Sequence, residues 1–242
     1  MSETTIALVT GANKGIGYEI ARGLGATGAT VLIGARSATR GATAAGKLAA
    51  EGITAVPVEL DVTDPVSVSG AAARIDREYG RLDVLVNNAG VLLERGQSPS
   101  GTPVAALERT FATNVYAVVA VTNALLPLIR RSAAGRIVNM SSGLGSLGIT
   151  SDPQGPYAQF PLLAYNASKS ALNAVTVSYA NELRDTPVKV NSADPGYCAT
   201  DMNGHAGPRT AEQGAIAAVR LATLPADGPT AGFFSEAGPE PW

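Results

Sequence analysis

One cysteine and one histidine in 242 residues leave little room for several kinds of chemistry. Cys198 has no second thiol to pair with, so no internal disulfide framework exists, and a reducing, cytoplasmic setting is expected. A histidine-rich metal site or a serine–histidine triad would have to rest on His205 alone, and no metal is expected. Charged residues make up only 16% of the chain and leave a net charge of −2, with no basic excess to suit a nucleic-acid backbone. The opening MSETTIALVTGANKG has no basic region followed by a long apolar core, so it does not read as a signal peptide. No uninterrupted run of about 18 apolar residues marks a membrane span. What the chain has is apolar bulk: 45% hydrophobic residues, enough for a substantial core.

Short apolar runs alternate with helical patterns along the whole length. Ile6–Val9 lacks polar alternation, as suits a strand buried on both faces of a parallel sheet. Further strands are predicted over 29–36, 54–62, 82–90, 135–142, 187–196 and 231–235, with helices over 37–52, 104–131, 164–184 and 210–223. Asp64 followed by Pro65 reads as a helix start, an N-cap with proline at the first helical position, opening a helix that runs to about Tyr79. This order predicts the α/β class, as a single-domain, doubly wound parallel sheet of Rossmann type with helices on both faces. No linker, composition break or repeat divides residues 1–242. Two Gly-, Pro- and Ser-rich stretches, 143–164 and 197–209, interrupt the alternation after predicted strands, where open α/β sheets bind ligands. Both are expected to be substrate loops.

Several strand ends carry residues suited to chemistry. TGANKGIG (10–17) sets Gly11, Gly15 and Gly17 between strand and helix, where glycine lets the backbone approach a pyrophosphate, although glycines also simply make turns. VNNAG (86–90) ends the fourth strand, either as a plain turn or as a ring-sized gap at Gly90. Ser141 and Ser142 end the fifth, where a hydroxyl can cap the strand or bond a substrate carbonyl. AYNASKSAL (164–172) then puts one of only four lysines four positions after a tyrosine. On a helix these share a face, about 6 Å apart along the axis. An ammonium beside a phenol of pKa near 10 favours phenolate and draws that pKa toward the working range of a general acid/base. The bland alternative is an amphipathic helix that happens to carry both.

Their order decides more than any one of them. T-G-x-x-x-G-x-G, N-N-A-G, Asn114 in the next helix, the serines, Y-x-x-x-K and P-G-x-x-x-T (195–200) succeed one another. The chain thereby resembles the short-chain dehydrogenase/reductase family from about Thr5 onward. VTGANKGIG, LDVLVNNAG, DPGYCATDM and GPTAGFFSEAGPEPW are similar to its carbonyl reductase and menthone reductase branch. The resemblance implies a catalytic set of Asn114, Ser142, Tyr165 and Lys169. Tyr165 would protonate the carbonyl oxygen, Ser142 would orient it, Lys169 would bind the nicotinamide ribose and lower the phenol pKa, and Asn114 would hold a water. It implies cofactor contacts from Gly11, Asn13, Lys14, Gly15, Ile16 and Gly17, and from Asp61 and Val62 near adenine. Asn87, Ala89 and Gly90 would line the adenosine side, and Pro195, Gly196, Cys198 and Thr200 the carboxamide end. Tyr165 follows Ser142 by 23 positions, longer than in most of the family and shorter than in the mammalian carbonyl reductases.

The activity so implied is hydride transfer between NADP(H) and a ketone or aldehyde, or the matching secondary alcohol in reverse. The same cofactor site would serve reduction of imines or activated alkenes, or a dinucleotide-binding redox sensor; relatives of the last kind usually lose the tyrosine or lysine. NADP(H) is expected over NAD(H) because IGARSATR has Ala35 where an acid might bond a ribose hydroxyl, followed by Arg36 and Arg40. Cations at the start of a helix oppose its dipole, and a nearby phosphate explains them, with Lys14 expected at the same corner. The expected partner is a small carbonyl compound, with no nucleic acid and no membrane; an oligomer is compatible with the sequence.

Overall fold

The computed structural model describes residues 4–94 and 98–242. Eight strands form one sheet: β1 Ile6–Thr10, β2 Thr30–Ala35, β3 Ala55–Glu59, β4 Val84–Asn87, β5 Arg136–Met140, β6 Lys189–Ala193, β7 Phe233–Ser235 and β8 Gly238–Pro239. Their order is β3-β2-β1-β4-β5-β6-β7-β8, parallel except for the β7–β8 pair. The final antiparallel strand was not expected; two residues carry too little pattern to announce it. In the register, Val9 stands opposite Ile33 on one side and Val86 on the other.

The helices are α1 Gly15–Ala26, α2 Ala38–Ala50, α3 Pro65–Tyr79, α4 Val104–Phe111, α5 Ala117–Ile129, α6 Leu147–Thr150, α7 Leu163–Glu182 and α8 Ala211–Ala222. Strand side chains alternate between two cores. Val9, Ile33 and Val86 pack with Ile20, Leu24 and Leu48 under α1, α2 and α8. Leu8, Leu32 and Leu85 pack with Ile75, Leu125 and Tyr179 under α3, α5 and α7. Each fully buried aliphatic side chain contributes about 1.5–3 kcal/mol relative to exposure. Asp64 caps α3 as its sequence suggests, its Oδ1 accepting from the Val66 N–H at 3.0 Å.

Two expectations need correcting. The helix predicted over 104–131 is two α-helices joined by a π-helical turn, Ala112–Tyr116, which holds Asn114. Such turns insert a residue into the helical ladder and recur at functional sites. Together these segments, Val104–Ile129, are apolar enough on average to match a membrane span, yet over half of that window is buried within the domain. The stretch 143–164 is no bare loop: it contains a 3-10 turn (Gly143–Gly145), then α6, then turns leading into α7.

Candidate active site

At the carboxyl ends of the strands, β1 and β4 diverge because the chain changes direction across the sheet between them, and ligands of open α/β sheets bind at this crevice. The loop leaving β1 lies on its floor. Gly11 and Gly15 adopt φ +66° and +57°, a left-handed backbone that any side chain would strain. Lys14 occupies the N-cap position of α1 in extended conformation and makes no side-chain cap, and the first turn holds no acid. That helix start thus keeps its amide groups and positive dipole end for an outside anion. Asn13 and Ile16 flank the turn, half-buried.

Asn88 braces this loop. Its Nδ2 donates to the carbonyls of Thr10 at 2.9 Å and Gly11 at 3.4 Å, while its backbone N–H donates to the Thr10 hydroxyl at 2.9 Å. Asn87, the neighbour expected to line a cofactor, turns inward instead. Its Nδ2 donates to Thr122 Oγ1 and Asn139 Oδ1 at 3.1 and 2.9 Å, and it is buried. Strand alternation explains the exchange: adjacent residues face opposite sides. Ala89 and Gly90 follow on the crevice side, and a Cβ on Gly90 would lie 3.7 Å from Lys169 Nζ.

The reacting groups converge opposite. Ser141 is spent in the interior, its hydroxyl donating to Asn173 Oδ1 at 2.6 Å. Ser142 is the half-buried one; its Oγ accepts from the Leu144 N–H at 3.2 Å, and its hydroxyl lies beside the Tyr165 phenol. Tyr165 and Lys169 lie one helical turn apart on α7, with Nζ 5.5 Å from the ring centroid. Lys169 is buried and donates to the Met140 carbonyl at 2.7 Å. Burial pushes its ammonium down to about 8, against the pull of the Asp194 carboxylate. Tyr165 departs from expectation. Burial first, then the Asp194 charge, push its phenol above the ordinary value, while the neighbouring Ser142 hydroxyl works the other way. A raised phenol stays protonated at neutral pH, as a proton donor must.

Asn114 is committed by its side chain. Oδ1 accepts from the Val91 N–H at 2.8 Å, and Nδ2 donates to the Val91 carbonyl and Ser168 Oγ, both at 3.0 Å. Both amide hydrogens are used, so the side chain has none left to donate to the expected water. Cys198 likewise turns away, its buried thiol bonding the Pro195 carbonyl at 3.2 Å and packing where a Cβ on Gly214 of α8 would fall. Gly196 has φ +70°, and Thr200 approaches Gly15, its Cγ2 3.9 Å from where a Cβ there would stand. Lys14 does not join the arginines; its Nζ pairs with Asp201 Oδ2 at 2.5 Å in the second loop. Both partners are more than half exposed, and such a pair is worth about 1 kcal/mol or less, so a phosphate can displace it.

At the far end of the crevice Arg36 and Arg40 are exposed, and among the described residues neither guanidinium has a carboxylate within ion-pairing distance. Asp61 is held by Thr63, whose hydroxyl and N–H donate to Oδ1 at 2.7 and 3.0 Å. These bonds, with the charge of Arg36, keep its carboxyl below the usual range. Val62 beside it is half-buried. Ala35 is buried, and a Cβ on Gly41 of α2 would lie 3.3 Å from its own, so the residue that can meet a ribose is Arg36.

Sequence reasoning did not single out Glu94 or Asp194. Glu94, buried in the segment after β4, accepts from the N–H groups of Ala164 at 3.1 Å and Tyr165 at 2.9 Å, so it caps the helix that carries Tyr165. Nothing local in the sequence announces a contact across 71 positions.

A glycine turn under an uncapped helix start, facing a serine–tyrosine–lysine cluster across one crevice, is the layout of a dinucleotide-dependent oxidoreductase. The family follows from comparison: the family model described as short chain dehydrogenase matches residues 5–211, and the chain belongs to that family. It is 36% identical to a short-chain dehydrogenase of Penicillium roqueforti, over 90% of this chain and 88% of that one. It is 34% identical to carbonyl reductase [NADPH] 1 of Mus musculus, over 100% and 99% of the two chains. The crystal structure of NADPH-bound carbonyl reductase from chicken fatty liver superimposes with a TM-score of 0.84 at 27% identity, covering all of both chains.

Proposed function

We propose that this chain reduces ketones or aldehydes with NADPH, or oxidises the corresponding secondary alcohols, with Tyr165 as general acid/base. The observation that carries the reading is the grouping of Ser142 beside the Tyr165 phenol with Lys169 one helical turn behind it, Nζ 5.5 Å from the ring centroid. NADPH, when bound, supplies the hydride. Its fit is supported by the Gly11 and Gly15 turns, the uncapped start of α1 and the two exposed arginines, Arg36 and Arg40. Mouse and chicken relatives described with NADPH support the same choice. Gly15, Gly17 and the α1 amides would receive the pyrophosphate, Arg36 and Arg40 the 2′-phosphate, Asp61 and Val62 the adenine. Lys169 and the main chain of Gly90, Pro195 and Gly196 would flank the nicotinamide end.

Within that frame each group has one task. Ser142 donates to the substrate oxygen and fixes its direction. Tyr165 gives its phenolic proton to that oxygen as negative charge develops there, and takes it back in oxidation. Lys169, cationic near neutral pH, stabilises the phenolate left behind. The Asn114 main chain would hold the water through which the proton is replaced. The segments 143–164 and 197–209 would enclose the substrate; Phe160 of the first meets Tyr197 of the second at a ring-centroid distance of 5.9 Å.

Purified protein mixed with NADPH and a panel of ketones and aldehydes, followed by nicotinamide absorbance, tests this directly. Oxidation of NADPH by one or more carbonyl compounds is the expected result. Turnover of imines or activated alkenes alone would assign a different reductase, and NADPH binding without any turnover would favour a sensor.

A further inference from the structure

The carboxyl end of β6 carries an acid that the chemistry above does not use. Asp194 is 5% exposed. The Ser141 N–H donates to the Ala193 carbonyl at 2.8 Å, which sets Asp194 beside the Ser142 strand end. Its Oδ1 accepts from the Gly196 N–H at 2.9 Å, and the nearby Gly143 N–H favours its charged form without meeting it at hydrogen-bond distance. One carboxylate thus holds the Pro195–Gly196 turn and adjoins the turn that follows the catalytic serine.

Among the described residues no cation pairs with it within ion-pairing distance. Arg209, whose charge reaches it, bonds Glu236 at 2.5 Å and the Pro195 carbonyl at 3.2 Å; Lys169 bonds Met140. The titratable groups around it are Tyr165 and Lys169 from α7, Tyr157 from the segment before it, Arg209 and Cys198 from the segment after β6, and Glu240 beyond β8.

Resting on the reductase reading above, we propose that Asp194 is a positioning residue of the reaction, which holds the Pro195–Gly196 turn beside the Ser142 strand end and sets the negative field in which Tyr165 gives up its proton and Lys169 carries its charge. The direction follows from the charge. A carboxylate there opposes phenolate and favours ammonium, keeping both groups protonated to higher pH. Removing it lets the phenol ionise at lower pH, so alcohol oxidation begins at lower pH and reduction fades earlier.

Asp194→Asn tests this, since it removes the charge at nearly constant size and keeps an acceptor oxygen for the Gly196 N–H. Acetophenone, or whichever ketone of the panel the wild type turns over fastest, and the alcohol formed from it serve as the substrate pair. The expected result is NADPH affinity within about twofold of wild type, kcat for reduction lowered about tenfold by looser alignment, and the rising limb of oxidation displaced by about one pH unit to the acid side. Asp194→Glu restores the charge and should return that limb toward its wild-type position while leaving kcat low. If the asparagine variant does not fold, Asp194→Ser, neutral and smaller, carries the same readout. A neutral variant that folds, binds NADPH and keeps the wild-type pH profile overturns the proposal, whether its kcat is unchanged or merely lowered along with its stability. Failure of the wild type on every carbonyl compound would instead strike the reductase reading.

Discussion

Glu94→Ala removes the acceptor that caps the catalytic helix. Two charge-assisted hydrogen bonds are lost, to the Ala164 and Tyr165 N–H groups at 3.1 and 2.9 Å, in a buried position. Bonds to a charged group contribute about 1.5–3 kcal/mol each, and the carboxylate also faces the positive end of the dipole of a 20-residue helix. Water entering the vacated space replaces part of this, so a net loss of about 2–4 kcal/mol is expected. For a domain of this size that lowers Tm by about 4–16 °C. Glu94→Gln keeps one acceptor oxygen and should lose about half as much. Because the bond ends on Tyr165, the proposed proton donor, kcat at a temperature well below Tm should also fall, about tenfold for alanine and less for glutamine. Thermal unfolding followed by circular dichroism, paired with steady-state reduction, measures both. A Glu94→Ala protein with wild-type Tm and kcat would refute the reasoning.

Arg36→Asp should lower kcat/KM for NADPH by about 10–100-fold, through loss of one exposed charge-assisted contact and a new repulsion, and raise that for NADH; kinetics with both cofactors decide it, and an unchanged ratio would separate Arg36 from the 2′-phosphate. Phe160→Ala should change the ratio of rates on bulky and small ketones because it breaks the ring contact with Tyr197; an unchanged ratio with a lower Tm would mean that the ring only packs its loop. The lowered Lys169 value has a stability consequence. The unfolded lysine holds its proton to about 10.4 and the folded one only to about 8, so the unfolded state binds more protons between these values, and the burial cost present below 8 is relieved as pH rises. Lys169→Met should therefore be at least as stable as wild type at pH 7, though inactive, and lack the wild type's gain between pH 8 and 10; parallel Tm–pH curves would contradict this.

The sheet was legible because its central strands, β1, β4 and β5, bury both faces and read as apolar runs, and because Asp64–Pro65 and the glycine turn punctuate the chain locally. The ordered motifs likewise pointed to Ser142, Tyr165 and Lys169 as one group, and the structure places the serine at the end of β5 beside Tyr165 and Lys169 of α7. What escaped depends on which way a side chain turns. Asn87 and Asn88 are identical in sequence, yet pleating sends one into the interior and the other to the glycine loop. Lys14 could not be known to reach Asp201, nor Glu94 to reach α7, since each contact spans a long sequence separation. The π-helical turn at Asn114 has no periodicity signal of its own within a long apolar helix. The raised phenol of Tyr165 depends on burial and on Asp194, neither of which the Y-x-x-x-K spacing reveals.

Tyr165→Phe tests the central claim most directly, because it removes the phenolic oxygen and leaves the ring that packs beside Lys169. Reduction of the best ketone should be compared with NADPH binding, followed by nicotinamide fluorescence, in the same preparation. The account predicts NADPH affinity within about threefold of wild type and kcat lowered about 10²–10⁴-fold, the span expected for loss of a general acid. Wild-type ketone reduction by this variant would contradict it.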